Sequence, residues 1–259
     1  LRPMRKTFTF LLLNFILFFN YLNAQSFNPF QGLKPASDNE IEYCEQVEFF
    51  EYSPKVFQEI MEMPTQSLQI SAVIQGLKLK LILKPNNFIN PAYFLSTDKQ
   101  ALVLSNTKSR FFTGTAENYP NSMVVLNFFE DELSGIISLG NGNIVIGKLG
   151  NDPTSRKHVI YNDINLKANN PFECHLEELP QNLEKMAQDI LVEPAQKTDH
   201  CKKIAHYFEC DYHMYQTRGS SVSSCENFVL GMFNVISTLL EREGVYTEVS
   251  QIKVWTSQD

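Results

Sequence analysis

KIAHYFECDYHMY (203–215), VSSCENFVLGMFNVISTLLERE (222–243) and VSQIKVW (249–255) follow one another near the C-terminal end of the chain, and their periodicities decide the fold. The first is rich in aromatics and reads as a strand. The second sets Val222, Cys225, Val229, Met232, Phe233, Ile236 and Leu240 on one face of a long helix. Ser223 and Glu226 have the spacing of a capping box at its start, and Gly244 stands where a C-terminal cap belongs. The third segment is a second strand and delivers the only tryptophan, Trp255. Strand, long helix, strand is a βαβ crossover, expected to be parallel and right-handed. Two parallel strands and one helix leave apolar faces uncovered, so the unit reads as the opening of a larger α/β domain that is truncated here.

Upstream, from about residue 41 to 161, the pattern is mostly strand. LKLKLIL (77–83) puts Leu77, Leu79, Leu81 and Leu83 on one face and Lys78 and Lys80 on the other, the alternation of a half-buried antiparallel strand. A short helix is expected at 55–62, and further strands at about 101–104, 111–116, 122–129, 133–139 and 143–149. Asn141-Gly142 lies between two of these runs and is the strongest short hairpin signal. LGNGNIVIG (139–147) lacks the glycine spacing and following helix of a phosphate-binding loop. Residues 150–200 change character, with prolines at 171, 180 and 194 and the charged run LEELPQNLEKMAQD (176–189). That stretch reads as a connector, with a domain boundary in it.

The first 24 residues differ in kind. Arg5 and Lys6 precede an apolar run from Phe8 to Leu22, interrupted by Asn14 and Asn20 and short of the ~20 residues a bilayer-spanning helix needs. A secretory signal peptide cut after Ala24 is the expectation, with Met4 the natural start. Removing Arg2, Arg5 and Lys6 takes the net charge from −7 to −10. Nucleic-acid binding depends on cations that neutralise phosphates, and so acidic a chain with no basic stripe speaks against it. The five cysteines, Cys44, Cys174, Cys201, Cys210 and Cys225, all follow the cut. Export permits disulfides, and an odd number leaves at least one thiol over.

The residues of the last unit carry a resemblance. Asp211 after the opening strand, the Phe233-Asn234 pair on the long helix, Trp255 and Asp259 resemble the start of the catalytic domain in reprolysin-like zinc metalloproteases, the adamalysin/ADAM branch of the metzincins. The preceding region, with Gly114, Ser122 and LSGIISLGNGNIVIG (133–147), is similar to that family's β-rich propeptide. The resemblance implies a zinc endopeptidase precursor acting on peptides or proteins. Its zinc helix, H-E-x-x-H-x-x-G-x-x-H, sets two imidazoles one turn apart and a Glu beside the metal-bound water. That pattern does not occur here: among His158, His175, His200, His206 and His213 no pair has the spacing. The chain as given is therefore expected to be inactive and to bind no zinc.

His206, Cys210 and His213 lie too far apart along a strand to share one zinc, at ~3.3 Å per residue. Cys174, just before the catalytic half, corresponds to the place where family propeptides present a thiol to the zinc; its alternative is a disulfide with Cys44 or another partner. Cys225 falls on the apolar helix face and reads as a buried thiol, with a disulfide second. The pairing of Cys201 and Cys210 stays open. The resemblance gives Asp259 a structural calcium, but the companion acid would stand at Ala205, so a solvated strand-end carboxylate is expected.

The fold class expected is α+β. It comprises a signal peptide (1–24), a β-rich antiparallel propeptide (25–165), a connector with a possible cysteine latch (166–202) and the first βαβ unit of a metzincin-like domain (203–259). The function expected is the N-terminal portion of a secreted zinc endopeptidase precursor, extracellular or periplasmic, with the propeptide contacting the catalytic domain and no membrane association after signal cleavage. The competing expectations are a secreted β-rich adhesion or binding protein and an orphan propeptide that inhibits a related protease.

Overall fold

Alternating apolar residues build most of the molecule. The computed structural model describes residues 27–36, 44–64, 67–105, 108–150, 152, 154–167 and 203–258. The segment 1–24, expected to be a signal peptide, and most of the expected connector lie outside them. β3 (Leu68–Ile74) buries Leu68, Ile70, Ala72 and Ile74 and exposes the residues between. β4 (Leu77–Pro85) buries Leu79, Leu81 and Leu83 and turns Lys78 and Lys80 away from the core, as its leucine-lysine alternation predicts. Leu77 departs from that pattern and is exposed, because it opens the hairpin.

A two-residue turn forms away from the expected dipeptide. Ile74 pairs with Leu77, so Gln75-Gly76 makes a two-residue turn with both residues at positive φ, 49° and 75°. Glu48 steadies the strained glutamine by accepting from its backbone N–H at 2.8 Å. The hairpin expected around Asn141-Gly142 does join β8 (Leu133–Ser138) to β9 (Asn143–Lys148). Because Ser138 pairs with Asn143, its loop is residues 139–142, and the positive φ values fall on Gly140 and Gly142, not on Asn141.

β1 (Lys34–Pro35), β2 (Glu48–Glu51), β6 (Ser109–Ala116), β7 (Tyr119–Phe129) and β10 (Lys157–Asn162) complete a nine-stranded antiparallel sheet. Its order is β1-β2-β10-β9-β8-β7-β6-β4-β3. Gly114 in β6 faces β4 so closely that a Cβ would stand 2.0 Å from the Ile82 carbonyl oxygen, which leaves no room for any other residue. α1 (Pro54–Glu62) matches the expected short helix; Ser53 caps it, and Val56, Phe57 and Ile60 pack into the sheet's core. Arg110 satisfies its last carbonyls, donating to Met61 and Met63 at 2.7 Å each.

Two expectations need correction here. Residues 101–104 form no strand: only Val103 bridges, to Leu95. The segment 203–215 is a strand only as far as Cys210, giving β11 (Ile204–Cys210). Asp211 then caps a short helix, α2 (Tyr212–Thr217), by accepting from Met214 N at 2.7 Å. An N-cap side chain competes with strand continuation, and here it wins.

α3 (Val222–Arg242) starts from Ser221, whose hydroxyl accepts from Ser224 N; the expected capping box of Ser223 and Glu226 is not used, since Glu226 is buried. Gly244, with φ of 76°, follows the helix end as anticipated. β12 (Thr247–Val254) runs parallel to β11. The other neighbour of β12 comes from far upstream: β5 (Ile89–Thr97) pairs with it, also in parallel, giving a three-stranded sheet ordered β11-β12-β5. The described chain is thus β-rich, with one large antiparallel sheet and a small parallel one.

His158 is fully buried in the larger core, 5.2 Å from the Phe50 ring and 5.4 Å from Tyr52. Its Nδ1–H donates to the Arg156 carbonyl at 2.8 Å, and Nε2 accepts from Leu133 N at 3.0 Å, so the neutral ring is the one that fits. Burial lowers its pKa from 6.5 to about 4. Below pH 6.5 the unfolded chain takes up a proton that the folded one refuses, so stability falls as pH drops toward 4. Full expression of this linkage is worth about 3 kcal/mol. Urea midpoints measured between pH 7 and 4 should show that loss, and His158→Gln should flatten this part of the profile relative to wild type.

Candidate functional site

β7 is buried from Ser122 to Phe129, and one amide sits inside that apolar run. Asn127 is 2% exposed, so its polar atoms need partners within the protein. They come from α3. Asn127 Nδ2 donates to the Gly231 carbonyl at 3.2 Å and to Ser134 Oγ at 3.3 Å, while its Oδ1 accepts from Asn234 Nδ2 at 2.7 Å. Asn234 Oδ1 accepts in turn from Asn86 Nδ2 at 2.8 Å, which also reaches Ser237 Oγ at 3.1 Å. The Ser237 and Thr238 hydroxyls fold back onto the Asn234 carbonyl at 3.1 and 2.7 Å. A Cβ on Gly231 would stand 3.2 Å from Asn127 Nδ2, which makes that glycine the point of closest approach.

α3 therefore has two buried faces. Cys225, Val229 and Phe233 join Phe88, Leu95, Phe111, Phe129, Val249, Ile252 and Val254 in one core. Gly231, Asn234, Ser237 and Thr238 turn toward the large sheet, and the helix contacts β6, β7 and β8 as well as β12. The face read from sequence was partly misplaced: Met232 is exposed and Leu240 only half-buried.

Ties at the rim reinforce the seat. Tyr93 OH donates to Glu226 Oε1 at 2.8 Å, and burial together with the Glu226 carboxylate pushes that phenol well above its ordinary pKa. Arg242 donates to the Ser122 carbonyl, and Lys84 meets Glu241 at 3.1 Å. Asp98 accepts from Thr256 N at 2.8 Å, from Thr256 Oγ1 at 2.7 Å and from Ser257 Oγ. Those hydrogen bonds, Ser257 foremost, hold its carboxyl well below the usual carboxylate range.

The residues singled out in the sequence fall into this framework. Asp211 caps α2. Phe233 is fully buried, with His206, Phe88 and Phe208 rings 5.0 to 5.5 Å away. Asn234 is the hub of the amide network. Trp255 donates its backbone N–H to the Cys210 carbonyl at 2.9 Å, and Lys253 sits 3.8 Å over its ring. Ser122 accepts from Ala116 N at 2.8 Å and donates to the Tyr119 carbonyl, locking the β6–β7 turn. Cys225 is buried and lies against Cys210. Cys174, Cys201 and Asp259 lie outside the described residues.

Where metal chemistry is concerned, His206 packs on Phe208 and Phe233, Cys210 on Cys225, and His213 is exposed on α2, so the three point to separate surroundings. Among the described residues no group of three or more His, Cys, Asp and Glu is arranged to hold a metal, and these residues do not fit zinc. A cavity of about 270 Å³ opens at the start of α3, lined by Asp131, Glu132, Lys148, Arg218, Ser221 and Asn227 among others. It carries both signs of charge, and Lys148 already pairs with Asp131 at 2.8 Å. Burial and Asp131 raise the Glu132 pKa, with Arg218 opposing.

Sequence reading missed the role of Asn86, Asn127, Ser237 and Thr238, and of strand β5. A signal was available: a lone amide in MVVLNFF and an Asn-x-x-Ser-Thr stripe on an otherwise apolar helix both call for buried partners. No protein-family model matches the chain, and comparison with characterised proteins finds no significant relative.

Removing one amide strands its neighbours. Asn234→Ala leaves Asn127 Oδ1 without its partner and takes from Asn86 Nδ2 its shortest bond, and should cost about 2–3 kcal/mol in urea unfolding. The Asn127→Ala/Asn234→Ala double variant should lose at least about 1 kcal/mol less than the sum of the single losses. Strict additivity would mean that the two amides do not act together.

Proposed function

We propose that this chain is the pro-region and opening catalytic unit of a secreted zinc endopeptidase precursor. The observation that carries the reading is the completion of the β11-α3-β12 unit by upstream residues. β5 pairs along β12, and the amide seat on β7 receives the polar face of α3. A region that provides a strand and a binding surface for the crossover behaves as a folding template. That is the relation a propeptide bears to the domain it precedes. The positions that resemble the reprolysin-like proteases support the same reading: Asp211 follows the first strand and caps α2, Phe233 and Asn234 fill the two buried faces of the helix, and Trp255 closes β12 onto β11.

In this reading the first 24 residues direct export, residues 25–165 form the pro-region, and 166–202 is the segment to be cut. Catalysis in the full-length protein would use a zinc-bound water to hydrolyse peptide bonds. The zinc-helix pattern is not in this sequence, so no catalytic step is assigned to its residues.

The test uses the product of the complete reading frame, secreted and then cleaved at a protease site engineered within 168–202. Peptide hydrolysis should rise at least tenfold on cleavage, be abolished by a zinc chelator and return with added zinc. A complete product that folds, binds no zinc and hydrolyses nothing before or after cleavage overturns the proposal and favours the adhesion-protein alternative. Inhibition of a related protease by the separate chain, with no activity of its own, would instead identify an orphan inhibitor.

A further inference from the structure

Cys210 and Cys225 reach the same point from two independently fixed elements. Cys210 is the last residue of β11, held opposite Val254 in the parallel ladder and by the Trp255 N–H on its carbonyl. Cys225 lies in the first turn of α3, its N–H bonded to the Ser221 carbonyl. Both side chains are buried, 1% and 0% exposed, in the core shared by the small sheet and α3. There the two thiols share one buried cluster and interact electrostatically. Cys44, the remaining cysteine among the described residues, belongs to a different cluster with Val47 and Phe49 and cannot reach them.

The surroundings divide the labour between the two sulfurs. Interaction with the Cys210 thiol lowers the Cys225 pKa, and the Arg218 guanidinium adds to the effect. The first turn of a long helix also favours an anion. The same interaction, with burial, pushes the Cys210 thiol up. Cys225 is thus the nucleophile and Cys210 the thiol that follows.

We propose that Cys210 and Cys225 form a disulfide in the exported chain, tying the end of β11 to the start of α3 across the α2 turn. The proposal rests on the export reading only for its oxidant, a small-molecule disulfide or an oxidoreductase disulfide. Cys225 thiolate attacks one sulfur of that oxidant, forming a mixed disulfide and expelling one thiolate. Cys210 loses its proton and attacks the Cys225 sulfur, expelling the second thiolate. Two electrons and two protons leave the pair and reduce one oxidant disulfide to two thiols. Burial closes the site once β11 and α3 are packed, so the bond forms during folding and afterwards resists reductants. The closed loop of about 15 residues restricts the unfolded chain and so stabilises the folded one.

Trypsin cuts after Lys203, Arg218 and Arg242 and separates the two cysteines onto different peptides, 204–218 and 219–242. The full chain is recovered from an oxidising secretory compartment and, in parallel, the reduced chain is refolded in a glutathione/glutathione-disulfide buffer. Each sample is denatured with iodoacetamide and no reductant, digested and analysed by mass spectrometry. The expected product in both is the linked pair of peptides, 2 Da lighter than their sum and separated by dithiothreitol. The melting midpoint should fall by about 5–10 °C on reduction in wild type and stay unchanged in Cys210→Ala/Cys225→Ala. Linkage in the refolded sample alone supports the pair and counts against export. Refolded, cooperatively melting chain with both cysteines alkylated, or with either joined to another cysteine, overturns the proposal.

Discussion

Everything in the C-terminal half depends on one helix having two faces to bury. A surface helix needs only one apolar stripe, but α3 carries Cys225, Val229 and Phe233 on one side and Gly231, Asn234, Ser237 and Thr238 on the other, and water reaches neither. The first side makes the core of the small parallel sheet. The second cannot face hydrocarbon without partners, and it cannot face solvent because β7 lies there. The large sheet answers with Asn127 and a close approach at Gly231. Without α3, β11 and β12 would have no cover and the Asn127 amide would be stranded.

A buried amide network of this kind is weak as a source of net stability, since each group gives up water to gain a protein partner. Its effect is on specificity. An apolar helix face could slide or rotate on an apolar sheet by a turn with little penalty, whereas Asn127, Asn234 and Asn86 can satisfy one another in one register only. The rim contacts of Tyr93 with Glu226 and of Asp98 with Thr256 hold the same register at the ends of the small sheet.

The same arrangement bears on the proposed precursor. Residues before the connector supply β5, Phe88, Phe111 and Phe129 to the core that α3 and β12 share. Cutting the chain within 166–202 would remove the covalent link but none of these contacts. Release of the pro-region would then require the β5–β12 pairing and the amide seat to open together, and the cut alone would leave a non-covalent complex. A disulfide between β11 and α3 would keep the smaller unit intact while that happens.

How much of this was legible beforehand follows from the range of the forces involved. The strand alternation of 77–83, the short helix near 55–62, the strands at 111–116, 122–129, 133–139 and 143–149, the long helix and the parallel crossover are all written in local periodicity, because burial of every second or every third-to-fourth residue is a short-range demand. Local signals failed where two of them compete. Asp211 caps a helix where aromatics suggested more strand, and Ser221 pre-empts Ser223 as the cap. The seat of α3 could not be read at all. The partners of Asn234 lie more than a hundred residues upstream, and β5, whose INPAYFLST carries a proline and little alternation, becomes a strand because β12 offers it an edge. Sequence alone determined which segments must be hidden from water; only the tertiary structure decided against what, since an unsatisfied amide or strand edge specifies the chemistry of its partner but not the partner's address.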